Sequence, residues 1–208
     1  ASASTTGKAI GTIDNCSDAP PAVAPSPGQG ASVPATCQST ATLDGQTVNA
    51  TSSSSAGIST GGSSGSDRFG RPLFSSITLT ETVKAKVEFT GGMGDPQVGG
   101  GAGSTAVVAL EIVVETGTPY TVTVEANGSA QVEAKMNNAL FTGSVNRTTT
   151  GVLDVRAKAL VPDSVGGGGD VDGGVSVTIT FGSIPPIGAC CRASCFVDTS
   201  VACNDAAG

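Results

Sequence analysis

The sequence predicts an all-β protein: a jelly-roll-like antiparallel β-sandwich with an extended N-terminal arm and a small disulfide-rich C-terminal tail. Three observations carry that expectation. Apolar and polar residues alternate with period two through several segments. Glycine-rich or Ser/Gly-rich breaks separate those segments. No stretch holds the i, i+3, i+4 apolar spacing of a helix over several turns. The expected division is an arm over residues 1–35, a sandwich over 36–183 and a cysteine-rich tail over 184–208.

Taken in order, residues 1–35 contain "APPAVAPSPGQGASVP", too proline-rich for helix and expected to be extended. "TATLDGQTVNA" permits a tight Asp44-Gly45 turn that pairs Ala41 with Val48. "SSSSAGISTGGSSGSDR" (52–68) has the composition of a long loop. In 77–89 the odd positions Ile77, Leu79, Val83, Ala85, Val87 and Phe89 form one apolar face, broken only by Glu81. "GGMGDPQVGGGAG" (91–103) is a break, and "TAVVALEIVVE" (105–115), apolar on both faces, suits a central strand. "YTVTVEANGSAQVEAKM" suggests a hairpin that sets Tyr120, Val122 and Val124 beside Val132, Ala134 and Met136. Matching those faces requires a three-residue turn or a bulge at Asn127-Gly128-Ser129. "VLDVRAKALV" (152–161) and "VSVTITF" (175–181) each hide their alternate apolar residues, and "GGGGDVDGG" (166–174) between them is expected to be a loop. A helical turn is expected only near 200–205.

Composition narrows the chemistry. The chain has 208 residues, 30 of them Gly, with 3% aromatic, 13% charged and a net charge of −7. With no histidine there is no Ser-His-Asp triad, Cys-His pair or imidazole ligand. One Tyr and no Trp leave no aromatic platform for sugars or bases. No basic stripe exists to neutralise phosphates, so nucleic acid is not an expected partner. No apolar run approaches the roughly 18 residues of a membrane span. "ASASTTG" is the kind of small-residue start that signal-peptide cleavage leaves, so the expectation is an exported, extracellular or cell-surface protein.

The six cysteines are Cys16, Cys37, Cys190, Cys191, Cys195 and Cys203. The last four are spaced CC-x3-C-x7-C, with no CxxC. That spacing fits neither a structural zinc site nor a redox dithiol. An even count in an exported chain fits disulfides. Adjacent Cys190 and Cys191 would bond each other only with strain, so each is expected to reach a different partner. A Cys16–Cys37 bond would close the proline-rich loop.

The "GACC…C…C" run after a "PP" linker resembles the cysteine-rich tails of secreted planctomycete-type bacterial proteins. "TGTPYTVTVEANGSA" is similar to a strand of exported bacterial β-sandwich proteins of the PEP-CTERM kind. The chain shows neither the Pro-Glu-Pro motif nor the closing apolar helix and basic end of their sorting tails. The resemblance implies an exported surface or matrix role without catalysis.

Other site candidates are few. Asp170 and Asp172 in the glycine-rich 166–174 segment echo calcium-binding repeats, although two carboxylates supply few of the six to eight oxygens that calcium takes. No other cofactor is expected. Sequons make Asn49, Asn127 and Asn146 glycosylation candidates; a fourth, at Asn15, has Cys16 as its middle residue and is a poor acceptor. Glu111 and Glu115 show no cleft that would make them an acid–base pair. The expected function is that of a non-enzymatic extracellular structural protein, a filament, sheath or matrix subunit that self-associates through β-strands. The segment expected to enter a neighbour's sheet is Lys8, Ala9, Ile10, Gly11, Thr12 and Ile13. The competing expectation is a secreted adhesive or carbohydrate-binding module.

Overall fold

The computed structural model describes residues 2–9, 12–16, 28–43, 46–66, 72–90, 100–114, 116–149, 151–162, 169–182, 187–191 and 195–199. Every element among them is a strand, and every pairing is antiparallel. One six-stranded sheet, sheet A, runs β11 (Ala139–Leu140), β10 (Gln131–Met136), β13 (Val152–Val161), β8 (Gly100–Val113), β1 (Ser2–Ala9) and β2 (Thr12–Cys16). The other, sheet B, runs β12 (Gly143–Thr148), β9 (Pro119–Gly128), β14 (Gly169–Phe181), β7 (Ser76–Thr90), β4 (Gln46–Thr60) and β3 (Gly30–Leu43). Two hairpins, β5 (Ser63–Ser66) with β6 (Pro72–Phe74) and β15 (Ile187–Cys191) with β16 (Cys195–Thr199), form separate two-stranded sheets. The sheets share one core and neither closes into a barrel, so the fold is a β-sandwich. From β8 onward, β8, β9, β10, β12, β13 and β14 alternate between the sheets, as strands do in jelly rolls.

Alternation in the sequence maps onto burial where side chains are large. Ile77, Leu79, Val83, Ala85 and Val87 of β7 face the core, as do Leu153, Val155, Ala157, Ala159 and Val161 of β13. Val175, Val177 and Ile179 do so from β14. Ala41 pairs with Val48, the register that an Asp44-Gly45 turn requires. Tyr120 and Met136 meet across the sandwich, with the Tyr120 hydroxyl donating to the sulfur over 3.7 Å.

Four expectations are corrected. The Ser/Gly run is not a loop: Gln46–Thr60 is a strand with a partner on each edge, and Ser52 and Ser54 are buried. Serine alternation escapes a hydrophobicity pattern, yet its small side chain fits a narrow interior. Gly169–Gly174 is not a loop either, because these residues open β14 and pair with β7. The glycines serve a close approach: a Cβ on Gly174 would lie 2.3 Å from the Glu81 carbonyl oxygen. Third, β9 and β10 are not a hairpin. β14 and β12 occupy both edges of β9, so the chain crosses to sheet A after Gly128. That crossing is held by Ser129 and Ala130 N–H groups on the Asp172 carbonyl, at 2.8 and 3.2 Å. Gly128, at φ +73°, permits it. Finally, the N-terminal residues are not a free arm: β1 and β2 belong to sheet A, and β3 of sheet B already starts at Gly30, inside the expected 1–35 arm. The helical turn near 200–205 lies outside the described residues.

The core is uneven. Toward β9, β14 and β13 it is built from Leu, Ile and Val, whereas the middle of β3 and β4 offers Ala35, Cys37, Ser52 and Ser54. Leu79 and Leu153 are among the largest fully buried side chains. Leu79→Ala is expected to cost about 2–5 kcal/mol of unfolding free energy. Urea titration checks it, with Ser54→Ala as a control expected to change stability far less.

Candidate functional site

The outer face of sheet B is a lattice of short polar side chains. Rows of residues in register across β3, β4, β7 and β14 include Gln38, Thr51, Lys86 and Asp170, and Thr36, Ser53, Lys84 and Asp172. The hydroxyls bond one another: Thr42 with Thr47 at 3.0 Å, Thr78 with Thr178 at 3.2 Å, and Thr123 with Ser144 at 3.4 Å. Each such cross-strand pair stabilises the sheet modestly.

Asp170 and Asp172 sit in this lattice, on β14. Their register partners on β7 are Lys86 and Lys84, and the Lys84 ammonium lies 3.4 Å from Asp170. No group of three or more His, Cys, Asp or Glu side chains gathers among the described residues. The structure therefore sets both aspartates opposite cations. The sequon residues are spread over the same sheet. Asn49 is half-buried on β4 and accepts a bond from the Thr40 hydroxyl at 2.9 Å. Asn127 is exposed at the end of β9. Asn146 is exposed on β12, where its carbonyl accepts from Thr121 at 2.6 Å. Glu111 is exposed on β8 opposite Asp154, and Glu115 lies outside the described residues.

Cys37 is buried on β3. Cys16 pairs with Thr5 at the outer edge of sheet A. Cys190, Cys191 and Cys195 fall in β15 and β16, where Cys191 is opposite Cys195. Cys203 lies outside the described residues. Lys8 and Ala9, expected to enter a neighbour, pair with Gly101 and Gly100 of the chain's own β8. Thr12 and Ile13 are in β2, opposite Ala9 and Lys8. Ile10 and Gly11 lie outside the described residues.

The sheet edges differ in character. β11 has two residues, β2 has five and carries Asp14, and β12 has six and carries Arg147. β3 has 14 residues, none of them charged, and nothing among the described residues pairs with its outer side. Short or charged strands are the usual protection against edge-to-edge association, and β3 has neither device. Its one interruption is Pro34. Proline lacks an N–H, so Pro34 is tolerated because its nitrogen points away from β4. Ser32, Thr36, Gln38 and Thr40 share its parity and direct their N–H and C=O groups to the open edge.

One polar group inside the sandwich has no counterpart in the lattice. Glu81 is fully buried on β7, in the row of Ala56 and Val175, and neither carboxyl oxygen has a hydrogen-bond partner. Burial pushes its pKa from 4.5 up to about 8. The signal was present in the sequence as the single break in the apolar face of 77–89. Ser39 and Ser104 are also buried with unpartnered hydroxyls, and nothing in their composition marked them.

Compared with known proteins, the chain matches no family model, no curated protein and no solved structure.

A buried acid whose folded pKa exceeds its unfolded one binds its proton more tightly in the folded state. Stability is then full below about pH 4.5 and declines through about pH 8. The slope is about 1.4 kcal/mol per pH unit. Glu81→Gln is expected to match the parent at pH 4.5 and to exceed it by about 3 kcal/mol at pH 7. Denaturant melts of both proteins across pH 4–9 check this; parallel profiles would contradict it.

Proposed function

We propose that the protein is an extracellular structural subunit, built into a surface filament, sheath or matrix through β-strand contacts between copies. The observation that carries this is β3: a long, uncharged edge strand beside an outer face whose hydroxyls are already paired with one another. A strand added there gains main-chain bonds worth about 0.5–1.5 kcal/mol each without any specialised side chain. The paired hydroxyls put the alternative, a carbohydrate-binding or adhesive module, second, since a binding face needs free donors and acceptors.

Export by a cleaved signal peptide and kinship with planctomycete-type secreted proteins belong to the same proposal. So do the disulfides. Cys16 ends the outer strand of sheet A, and Cys37 faces the core from the outer strand of sheet B. A bond between them would clasp the two sheets at one margin and restrain the unfolded chain. Mass spectrometry of the unreduced protein is expected to show six hydrogens fewer than the reduced form, with Cys16 and Cys37 in one cross-linked peptide. Free thiols at several positions would remove the extracellular reading.

Electron microscopy of concentrated protein is expected to show ordered fibres or sheets. The double substitution Thr36→Pro and Gln38→Pro deletes two edge N–H donors while leaving the β4 ladder intact. It should keep the β circular-dichroism spectrum and lose assembly. Fibres unchanged in the double variant would clear β3 of the role, and a parent that stays dispersed under all conditions would end the structural reading.

A further inference from the structure

The buried side-chain oxygens left without a hydrogen-bond partner among the described residues belong to Glu81, Ser104 and Ser39. Glu81 and Ser104 lie on β7 and β8, which have a strand on each edge. Ser39 lies on β3, the open edge of sheet B. It is 3% exposed, and its row continues through Ala50 of β4 and Val87 of β7, neither of which can bond it through a side chain. A buried hydroxyl without a partner is costly to the fold. On this strand, unlike the other two, a partner can arrive from outside the chain.

Strand parity fixes how that partner sits. The Thr60 N–H donates to the carbonyl of Gln29, just ahead of β3, at 2.9 Å, so the odd-numbered residues here turn their main-chain groups to β4. The even-numbered residues of β3 turn theirs to the open edge. A strand laid antiparallel on that edge bonds the even residues and forms close, non-hydrogen-bonded pairs with the odd ones, whose side chains meet. Among the odd residues, Val33, Ala35, Cys37 and Ser39 face inward. The strand that fits is β3 itself, which has no charge to oppose its own copy. Pro34 offers no N–H and would leave a facing carbonyl unpaired. The longest antiparallel register of β3 on β3 that keeps Pro34 out of the shared ladder sets Thr36 against Thr42 and Gln38 against Thr40. Its centre is Ser39. The proline and the orphaned hydroxyl therefore select the same register independently.

We propose that β3 pairs with β3 of a second copy about a two-fold axis at Ser39, where the two orphaned hydroxyls bond each other. The contact is isologous, the same surface on both copies. The seam repeats the cross-strand hydroxyl pairing that sheet B already uses between Thr78 and Thr178. The joined sheet runs from β12 of one copy to β12 of the other, with both polar outer faces on one side. A two-fold contact closes on itself, so a fibre or matrix repeats the pair and not the single chain. This rests on the structural-subunit reading and names the partner and register of its β3 edge.

Disulfide trapping on the full chain tests the register. Residues facing each other in a non-hydrogen-bonded antiparallel pair have Cα atoms about 4.5 Å apart, within the span of a disulfide. Ser39→Cys is expected to give a covalent dimer under mild oxidation, with peptide mapping by mass spectrometry placing the link between the two substituted positions. Thr36→Cys should give none, since its two copies stand roughly 20 Å apart along the strands in this register. Ser39→Ala is the second variant, free of any added thiol. By sedimentation its dimer dissociation constant should exceed the parent's roughly three- to tenfold, the loss of one hydroxyl pair. A link at position 36 instead of 39, or an unchanged constant in Ser39→Ala, overturns the register. Fibres that are lost in the Thr36→Pro and Gln38→Pro double variant, yet show no link at position 39, mean a head-to-tail neighbour; they overturn the two-fold and leave the subunit reading standing. A parent that stays monomeric at every concentration overturns both.

Discussion

The two-sided ladder of β7 is what the rest of the structure depends on. This strand pairs with β4 from Thr47↔Thr90 to Thr60↔Ile77, and with β14 from Gly169↔Val87 to Thr180↔Ser76. With both edges engaged along nearly its whole length, its side-chain parity cannot slip, because a one-residue shift would turn the entire apolar set outward. That rigidity explains how Glu81 is tolerated where it is. The carboxyl faces the core because its neighbours Leu79 and Val83 do, and the ladder does not let one residue turn away. A single unfavourable group is carried by a strand whose other contacts greatly outweigh it.

The same ladder divides the sandwich into unequal parts. On the β14 and β9 side the inward residues are Val, Ile and Tyr, and Tyr120 reaches Met136 in the opposite sheet. On the β4 and β3 side they shrink toward Ala and Ser. Small side chains bury less area, so this half draws more of its stability from main-chain bonds and less from transfer of apolar surface. A half-sandwich of that kind is stiff along its strands and weakly held between its sheets. The edge proposed to act between copies, β3, lies in this half, where strand pairing dominates.

The outer face of sheet B belongs to the same economy of small groups. Its Thr and Ser hydroxyls bond across strands, and its lysines face aspartates, so the surface satisfies itself with few long side chains to order. The sequon asparagines are part of it. Asn49 and Asn146 already accept threonine hydroxyls, which ties them into the lattice.

By itself the sequence determined the all-β class, the inward parity of β7, β13 and β14, the Ala41–Val48 register and the odd placement of Glu81. Each follows from a period-2 alternation between side chains that differ strongly in hydrophobicity, a local property that needs no knowledge of partners. Only the tertiary structure decided that Ser52 and Ser54 are interior, that Gly169–Gly174 is strand, and that β9 and β10 part into opposite sheets. It also decided that β1 sits on its own β8. Those outcomes depend on which edges are free and how near the sheets approach. Serine and glycine are neutral to water on the scale that alternation uses, so their side of a sheet is set by the neighbours that close around them.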